Sequence, residues 1–173
     1  AKDDLYTVKV NSLQRGVRSF RLDALSDPSL PSKGPGLSDN GNFVLGDLKI
    51  IARPLDPNDK TAPVTLKLKP VKATFEQDKY PLAQAVDNNG NTGWAVAPQT
   101  GKDHAAVFAI DGEAVGFAGG TEFEFQLRFS GHFGLGRMRL AFANGPAEAT
   151  LTDKTDMQSL REIQAFLAGN PDA

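Results

Sequence analysis

A strict alternation of apolar and polar side chains over residues 121–129 limits the fold of this chain more than any other feature. The stretch reads TEFEFQLRF, and its apolar face consists of Phe123, Phe125, Leu127 and Phe129. The opposite face carries only charged and amide side chains, namely Glu122, Glu124, Gln126 and Arg128. A period of two is typical of a β-strand with one buried and one solvated face. The buried face needs a second layer to cover it.

The same period recurs in other short segments along the chain. Their inward-facing residues are Tyr6, Val8 and Val10; Val64, Leu66 and Leu68 of residues 64–69; and Met138, Leu140 and Phe142. The continuous apolar run HAAVFAI, residues 104–110, is typical of a strand that is covered on both faces. Eleven prolines and seventeen glycines lie between these segments and favour many turns. The sequence therefore predicts an all-β fold, an antiparallel two-sheet β-sandwich or jelly roll.

The carboxyl-terminal residues follow a different period. Thr155 and Gln158 have the spacing of a capping box, and Met157, Leu160, Gln164 and Leu167 form a helical stripe with one polar member. We therefore expect a β-sandwich domain over residues 1–150 and a short helical tail over residues 151–173. The tail either packs on the sandwich or leads into a following domain.

Composition removes several classes of function. Nineteen basic and twenty-one acidic residues give a formal charge of −2, without the basic block that a nucleic-acid partner would need. There is no cysteine, which excludes disulfides and thiolate metal sites within this segment. No apolar run is long enough to insert into a membrane, and the start AKDDLYTVKV lacks the apolar core of a signal peptide. Such a start suits a mature protein or a domain of something larger.

The stretch AVDNNGNTGWAV, residues 85–96, has the spacing of a calcium loop but does not complete an EF-hand. Asp87, Asn89 and Asn91 fill positions one, three and five, whereas Thr92 stands where glycine is required and Pro98 stands where a bidentate glutamate is required. Two interpretations remain for the stretch: a tight turn rich in Asx residues, or part of a calcium shell completed by a second carboxylate elsewhere.

Catalytic signals are weak. His104 and His132 are far apart in sequence, and they are as consistent with surface hydrogen bonding as with a ligand groove. Glu122 and Glu124 lie two apart on a polar strand face, where solvated charge explains them without catalysis. No GxSxG motif supports a serine nucleophile. We therefore expect a protein that is not an enzyme.

Several motifs together resemble the discoidin-like sandwiches, also called coagulation factor 5/8 C-type or galactose-binding-like domains. Asp87, Thr92 and Trp94 match the spacing of that family's Asp-Thr-Trp element, and FVLGDLKI resembles its late acidic strand with Asp47 in the acidic position. Here the acidic strand precedes the Trp motif, so the resemblance implies a permuted strand order. It also implies a structural calcium held by Asp47 and Asp87, with Asn89 and Thr92 assisting, and a Trp94 that holds the corner together.

A second likeness is to a module inside large secreted planctomycete proteins that also carry cytochrome-c-like domains. It spans most of residues 1–145 and rests on several separated motifs, among them KDHAAVF and GLGRMRLAF. The likeness implies a carbohydrate-binding module of an exported protein, secreted, periplasmic or at the cell surface, with a polysaccharide or glycan as partner. The alternative is a structural spacer that packs against neighbouring cytochrome-like domains.

A sugar site in such a fold is expected among the loops at one end. We predict a patch that contains His104, His132, Phe133 and Arg137, because Arg and His bind hydroxyl groups while Phe stacks on sugar rings.

Overall fold

The computed structural model describes residues 3–145, which form eight β-strands. These are β1 (Asp4–Ser12), β2 (Ser19–Ala24), β3 (Leu45–Pro54), β4 (Val64–Thr65), β5 (Leu68–Ala73), β6 (His104–Ile110), β7 (Thr121–Phe129) and β8 (Met138–Ala143). The described residues contain no α-helix, only two 3-10 segments, Pro31–Lys33 and Leu82–Val86. The predicted helix between Thr155 and Leu167 lies outside the described residues.

The first sheet has the order β1-β7-β3-β4, and all its pairings are antiparallel. The TEFEFQLRF alternation is now β7, the second strand, flanked on both sides. Its residue Phe125 pairs with Val8 of β1 and Ile50 of β3, so the middle of one face of the three strands is apolar. Phe123, Phe125, Leu127 and Phe129 are all buried, and the prediction from their period is confirmed.

The second sheet has the order β5-β6-β2-β8, again antiparallel. Its central strands turn Phe20, Leu22, Ala106 and Phe108 toward the first sheet. The Phe20 ring meets Phe123 and Phe125 edge-to-face, with both centroid separations at 5.6 Å. This is a favoured geometry for aromatic pairs. The two sheets therefore share one apolar core, and the predicted all-β, sandwich-like fold of two antiparallel sheets is confirmed.

One predicted strand is divided in the structure. Residues 64–69 alternate strictly, yet Val64–Thr65 belong to β4 in the first sheet and Leu68 begins β5 in the second. Leu66 lies at the crossing; it is buried, and its N–H donates to the Ile50 carbonyl. Val64 remains 46% exposed. The chain therefore changes sheets at Leu66, whose side chain belongs to the shared core.

Two loops meet at one end of the fold, which we call the β7–β8 end. They are residues 25–44, between β2 and β3, and residues 130–137, between β7 and β8. Main-chain hydrogen bonds join them: Leu37 N–H donates to Gly134, Gly136 N–H to Pro35, and Val44 N–H to Phe133, each at 2.9 Å. Both loops are thereby fixed to each other along their length.

Candidate functional site

The Asx-rich stretch is a turn closed by its own side chains. One oxygen of the Asp87 carboxylate accepts from the Asn89 N–H at 2.8 Å, and the other accepts from the Thr92 hydroxyl at 2.8 Å. The Thr92 hydroxyl also lies 2.8 Å from the Asn89 carbonyl. Asn88 takes a positive φ of 60°, a conformation that Asn tolerates. The spacing of Asp87, Asn89 and Thr92 is therefore accounted for by the hydrogen bonds of the turn.

Trp94 is part of the core. Its side chain is 0% exposed, and its ring meets Phe43 edge-to-face at 4.9 Å. The indole N–H donates to the Phe75 carbonyl at 2.9 Å, while the main chain of Trp94 pairs with Leu45 at the start of β3. The tryptophan thus attaches the Asx turn to the first sheet, and its ring has no surface to offer a sugar.

The residues that the family resemblance assigns to calcium are engaged in other contacts. The Asp47 carboxylate pairs with Lys49 at 3.3 Å, and both oxygens of Asp87 accept hydrogen bonds within the turn. The Arg128 guanidinium lies against Gly90, where an added Cβ would be 2.7 Å from its Nη1. Within residues 3–145 no three acidic or histidine side chains gather as a metal site. A carboxylate oxygen can accept more than one contact, so these contacts do not decide whether an ion binds, and the calcium stays a prediction.

His104 lies inside the fold, at the first position of β6. It is 1% exposed; its Nδ1 is 3.1 Å from the Thr74 hydroxyl and its Nε2 is 2.6 Å from the Gln99 carbonyl. Burial is the main cause that lowers the pKa of this imidazole, with a smaller opposing effect from the Gln99 carbonyl. Both ring nitrogens therefore serve internal contacts, and the structure does not place His104 on the surface with the other predicted sugar residues.

The other three predicted sugar residues share the 130–137 loop at the β7–β8 end. The exposed ring of His132 stacks on the half-buried ring of Phe133, with centroids 4.4 Å apart and planes 27° apart. Arg137 donates to the Asp27 carboxylate at 2.8 Å, and this pair ties the loop to the 25–44 loop. The structure therefore brings an aromatic pair and an ion pair to one end of the fold.

Sequence reasoning missed two residues beside this loop. An added Cβ on Gly134 would be 2.5 Å from the Tyr6 hydroxyl and 3.4 Å from Leu37 Cδ1, so both side chains lie on that glycine. Leu37 is 42% exposed, and Tyr6 stacks obliquely on Phe129 at 4.8 Å. Burial raises the pKa of Tyr6, which keeps its phenol protonated. We call the set at this end the loop-end patch: Tyr6, Leu37, His132, Phe133 and Arg137.

A buried polar cluster holds the 25–44 loop in place. The Asn42 side chain donates to Gln77 Oε1 at 3.0 Å and accepts from the Val96 N–H at 3.1 Å. The Ser38 hydroxyl donates to the Asn42 carbonyl at 2.8 Å. Gly36 is so close to this segment that an added Cβ would be 1.8 Å from the main-chain oxygen of Asn42. Loops of this length are often functional, but the contacts that hold this one have no local signature in the sequence.

The pair Glu122 and Glu124 is neutralised by cations on the solvent face of the first sheet. Arg53 contacts both carboxylates, at 3.3 and 3.0 Å, and Lys9 contacts them at 3.3 and 3.5 Å. A hydrogen bond from Gln126 is the main cause that lowers the pKa of Glu124, and Arg53 and Lys9 add to it. A proton-donating acid needs the opposite shift, so Glu124 does not suit the role of a general acid.

Two open clefts lie along the edge where β4 passes into β5. The larger, about 480 Å³, lies between residues 64–67 and residues 110–117, with the Lys67–Asp111 ion pair at 2.7 Å among its lining. The smaller, about 320 Å³, includes Asp47 and Asn88. The larger cleft lies beside the β6–β7 loop, at the end opposite the loop-end patch, so the two regions can be tested separately.

Comparisons with protein-family models, with curated proteins and with solved structures found no match to this chain. The discoidin-like resemblance therefore stays a prediction from the motifs. Across residues 3–145, no helix has the length and apolar character to cross a membrane.

Proposed function

We propose that this domain binds a carbohydrate through the loop-end patch and catalyses no reaction. It would act as a module of a larger exported protein, secreted, periplasmic or at the cell surface. The finer fold that we propose is a discoidin-like jelly roll with permuted strand order. The observation that carries the proposal is the stacked pair of His132 and Phe133 on an exposed, well-anchored loop.

The chemistry of the patch suits a sugar. Aromatic faces bind the C–H surfaces of pyranose rings, and charged side chains bind hydroxyl groups. Phe133 offers a ring, Arg137 and Asp27 offer charged donors and acceptors 2.8 Å apart, and Tyr6 offers a protonated phenol. Because main-chain hydrogen bonds fix both loops, ligand binding loses little loop entropy.

Affinity electrophoresis of the full chain through a panel of polysaccharide gels tests this proposal. We expect retardation by at least one polysaccharide and a weaker effect in Phe133→Ala. Loss of one ring contact, worth about 0.5–1.5 kcal/mol, weakens binding about 2- to 12-fold. Phe117→Ala is the matched control, because this phenylalanine lines the larger cleft at the opposite end. If Phe117→Ala weakens binding and Phe133→Ala does not, the site is the cleft and the patch proposal fails.

The structural spacer is the alternative, and it makes the opposite prediction for the same gels. A spacer that packs against neighbouring cytochrome-like domains shows no retardation by any polysaccharide. Large exposed apolar side chains are found on separate elements, among them Leu5 at 60% and Leu13 at 80% exposure. Retention of the wild-type chain on a gel would therefore decide between the two functions.

Structural calcium is a separate part of the proposal. If an ion binds at Asp47 and Asp87, it stabilises the folded state by RT ln(1 + [Ca²⁺]/Kd). Calcium should then raise the melting temperature, a chelator should reverse the rise, and Asp87→Asn should abolish it. A melting curve that is unchanged by calcium and by chelator removes the ion and leaves carbohydrate binding standing.

A further inference from the structure

The solvent-directed face of the second sheet differs from that of the first. It consists of Lys69, Val71 and Lys72 from β5; Ala105, Val107 and Ala109 from β6; Ser19, Arg21 and Asp23 from β2; and Arg139, Ala141 and Ala143 from β8. We call this set the outer face. The corresponding face of β7 in the first sheet is charged or amide-bearing at every position, whereas the centre of the outer face is apolar.

The centre of the outer face is buried although it points away from the shared core. Val107 is 0% exposed and Ala105 is 3% exposed, and within residues 3–145 they form a second apolar cluster with Val71 and Ala109 alone. This agrees with the prediction from HAAVFAI that β6 is covered on both faces. The outer face therefore has an apolar strip along its centre, which is typical of a sheet face that packs against a further layer.

A second observation points to a missing partner. Ser19 lies on the outer face and is 1% exposed, and its hydroxyl has no hydrogen-bond partner in the described part of the chain. Buried hydroxyl groups are normally paired. A depression of about 60 Å³ that Ser19, Ala141 and Ala143 help to line lies at this position. The residue with the unpaired hydroxyl thus borders a space that another segment can fill.

Charge and chain connectivity indicate which segment could cover the outer face. The outer face carries four cations, Lys69, Lys72, Arg21 and Arg139. Its one carboxylate, the buried Asp23, pairs with Arg21 at 2.6 Å and with Arg139 at 2.8 Å. The outer face therefore has a net charge of +3, four minus one. Residues 146–173 contain five acidic and two basic side chains, a net −3. Opposite charges of equal size favour association between the two.

The chain leaves the fold at the edge of this same sheet, because β8 is its last and outermost strand. Residues 144–154 can span about 35 Å when extended. A helix over residues 155–167 would be about 20 Å long, against about 15 Å across four strands. Its apolar residues at helical spacing are Met157, Leu160, Ile163 and Leu167. The length of the tail and the position of β8 at the sheet edge thus allow the tail to reach the outer face.

We propose that residues 155–167 dock as an amphipathic helix on the outer face of their own chain, with the apolar stripe over β6. The tail is then a third layer of the domain instead of a linker to a following domain. This inference does not depend on carbohydrate binding, and it leaves the loop-end patch uncovered.

A spin label on the outer face tests the docking. The chain has no cysteine, so Lys72→Cys in the full-length protein accepts one nitroxide at an exposed site of the outer face. We expect the amide signals of residues 155–167 to lose most of their intensity in isotope-labelled protein, and to recover when the nitroxide is reduced. The matched control is Lys49→Cys, exposed on the first sheet, which should leave these signals intact.

Two outcomes overturn the proposal. Sharp tail signals with the label at Lys72→Cys would mean that the tail does not reach the outer face. Broadening that appears only when labelled and isotope-enriched molecules are mixed would mean that a second copy is the occupant. The charge argument is tested with the nitroxide at Arg139→Cys. The double variant Lys69→Glu, Lys72→Glu should then show less broadening of the tail signals than the protein that carries only the labelled Arg139→Cys, because its two glutamates repel the acidic tail. Unchanged broadening there would remove the charge argument.

Discussion

The side-chain amide of Asn42 allows a quantitative test of how the 25–44 loop is held. It is 4% exposed, and it links Gln77 of one segment to the Val96 N–H of another. In Asn42→Ala the Val96 N–H loses its acceptor while Val96 itself remains 0% exposed. Gln77 Oε1 keeps one donor, the Ala97 N–H at 3.0 Å. The substitution therefore leaves one buried donor unpaired and removes one further hydrogen bond.

The magnitude follows from these two losses. An unpaired buried donor costs about 1–3 kcal/mol, and a lost internal hydrogen bond costs about 0.5–1.5 kcal/mol. We expect Asn42→Ala to lower the free energy of unfolding by about 1.5–4.5 kcal/mol. For a domain of this size, that corresponds to a fall of about 3–18 °C in melting temperature.

Urea unfolding followed by fluorescence is the assay, because Trp94 is the chain's single tryptophan and is fully buried. Asn91→Ala is the matched control: the same substitution, at an exposed residue of the Asx turn, should change the free energy of unfolding by less than about 0.5 kcal/mol. A loss below about 1 kcal/mol in Asn42→Ala, or an equal loss in both variants, would refute the reasoning that this amide anchors the loop.

Further predictions concern a glycine and a histidine. Gly36→Ala should lower the melting temperature sharply, because the new Cβ would be 1.8 Å from the main-chain oxygen of Asn42. Gly101→Ala is the control, and it should leave the melting temperature nearly unchanged because no atom lies within 4 Å of its Cβ position. Thermal unfolding followed by circular dichroism measures both. Burial lowers the pKa of His104 in the folded state, so the unfolded chain binds the proton more readily. The neutral His104 side chain therefore makes its full contribution to stability above the unfolded pKa of about 6.5, and this contribution is lost as the pH falls below that value. Urea midpoints from pH 8 to pH 5 should fall less steeply in His104→Gln than in the wild type, and parallel slopes would contradict the prediction.

The sequence predicted those parts of the fold whose information is local. The period of residues 121–129 reports which side chains face inward, because neighbouring side chains of a strand point to opposite faces. The continuous run at residues 104–110 reported burial on both faces, and Val107 is indeed buried on the outward side. The division of residues 64–69 between two sheets could not be predicted, because alternation is the same whether or not the strand changes partners at Leu66.

The candidate site was less accessible to sequence reasoning. His132, Phe133 and Arg137 are close in sequence, and the structure keeps them on one loop. Tyr6 and Leu37 join them only through long-range packing against Gly134, which has no sequence signature. Histidine is a residue type that often binds ligands, but both ring nitrogens of His104 contact groups inside the fold, the Thr74 hydroxyl and the Gln99 carbonyl.

The hydrogen bonds that join the two loops at the β7–β8 end come from the main chain, at Leu37, Val44 and Gly136. Main-chain hydrogen bonds do not depend on which side chains are present, as long as the backbone conformation is kept. Leu37, His132 and Phe133 can therefore be exchanged for other residues without dismantling the platform that displays them. This makes the β7–β8 end a natural scaffold for a library, in which new ligand specificities are selected by varying three positions on an unchanged backbone.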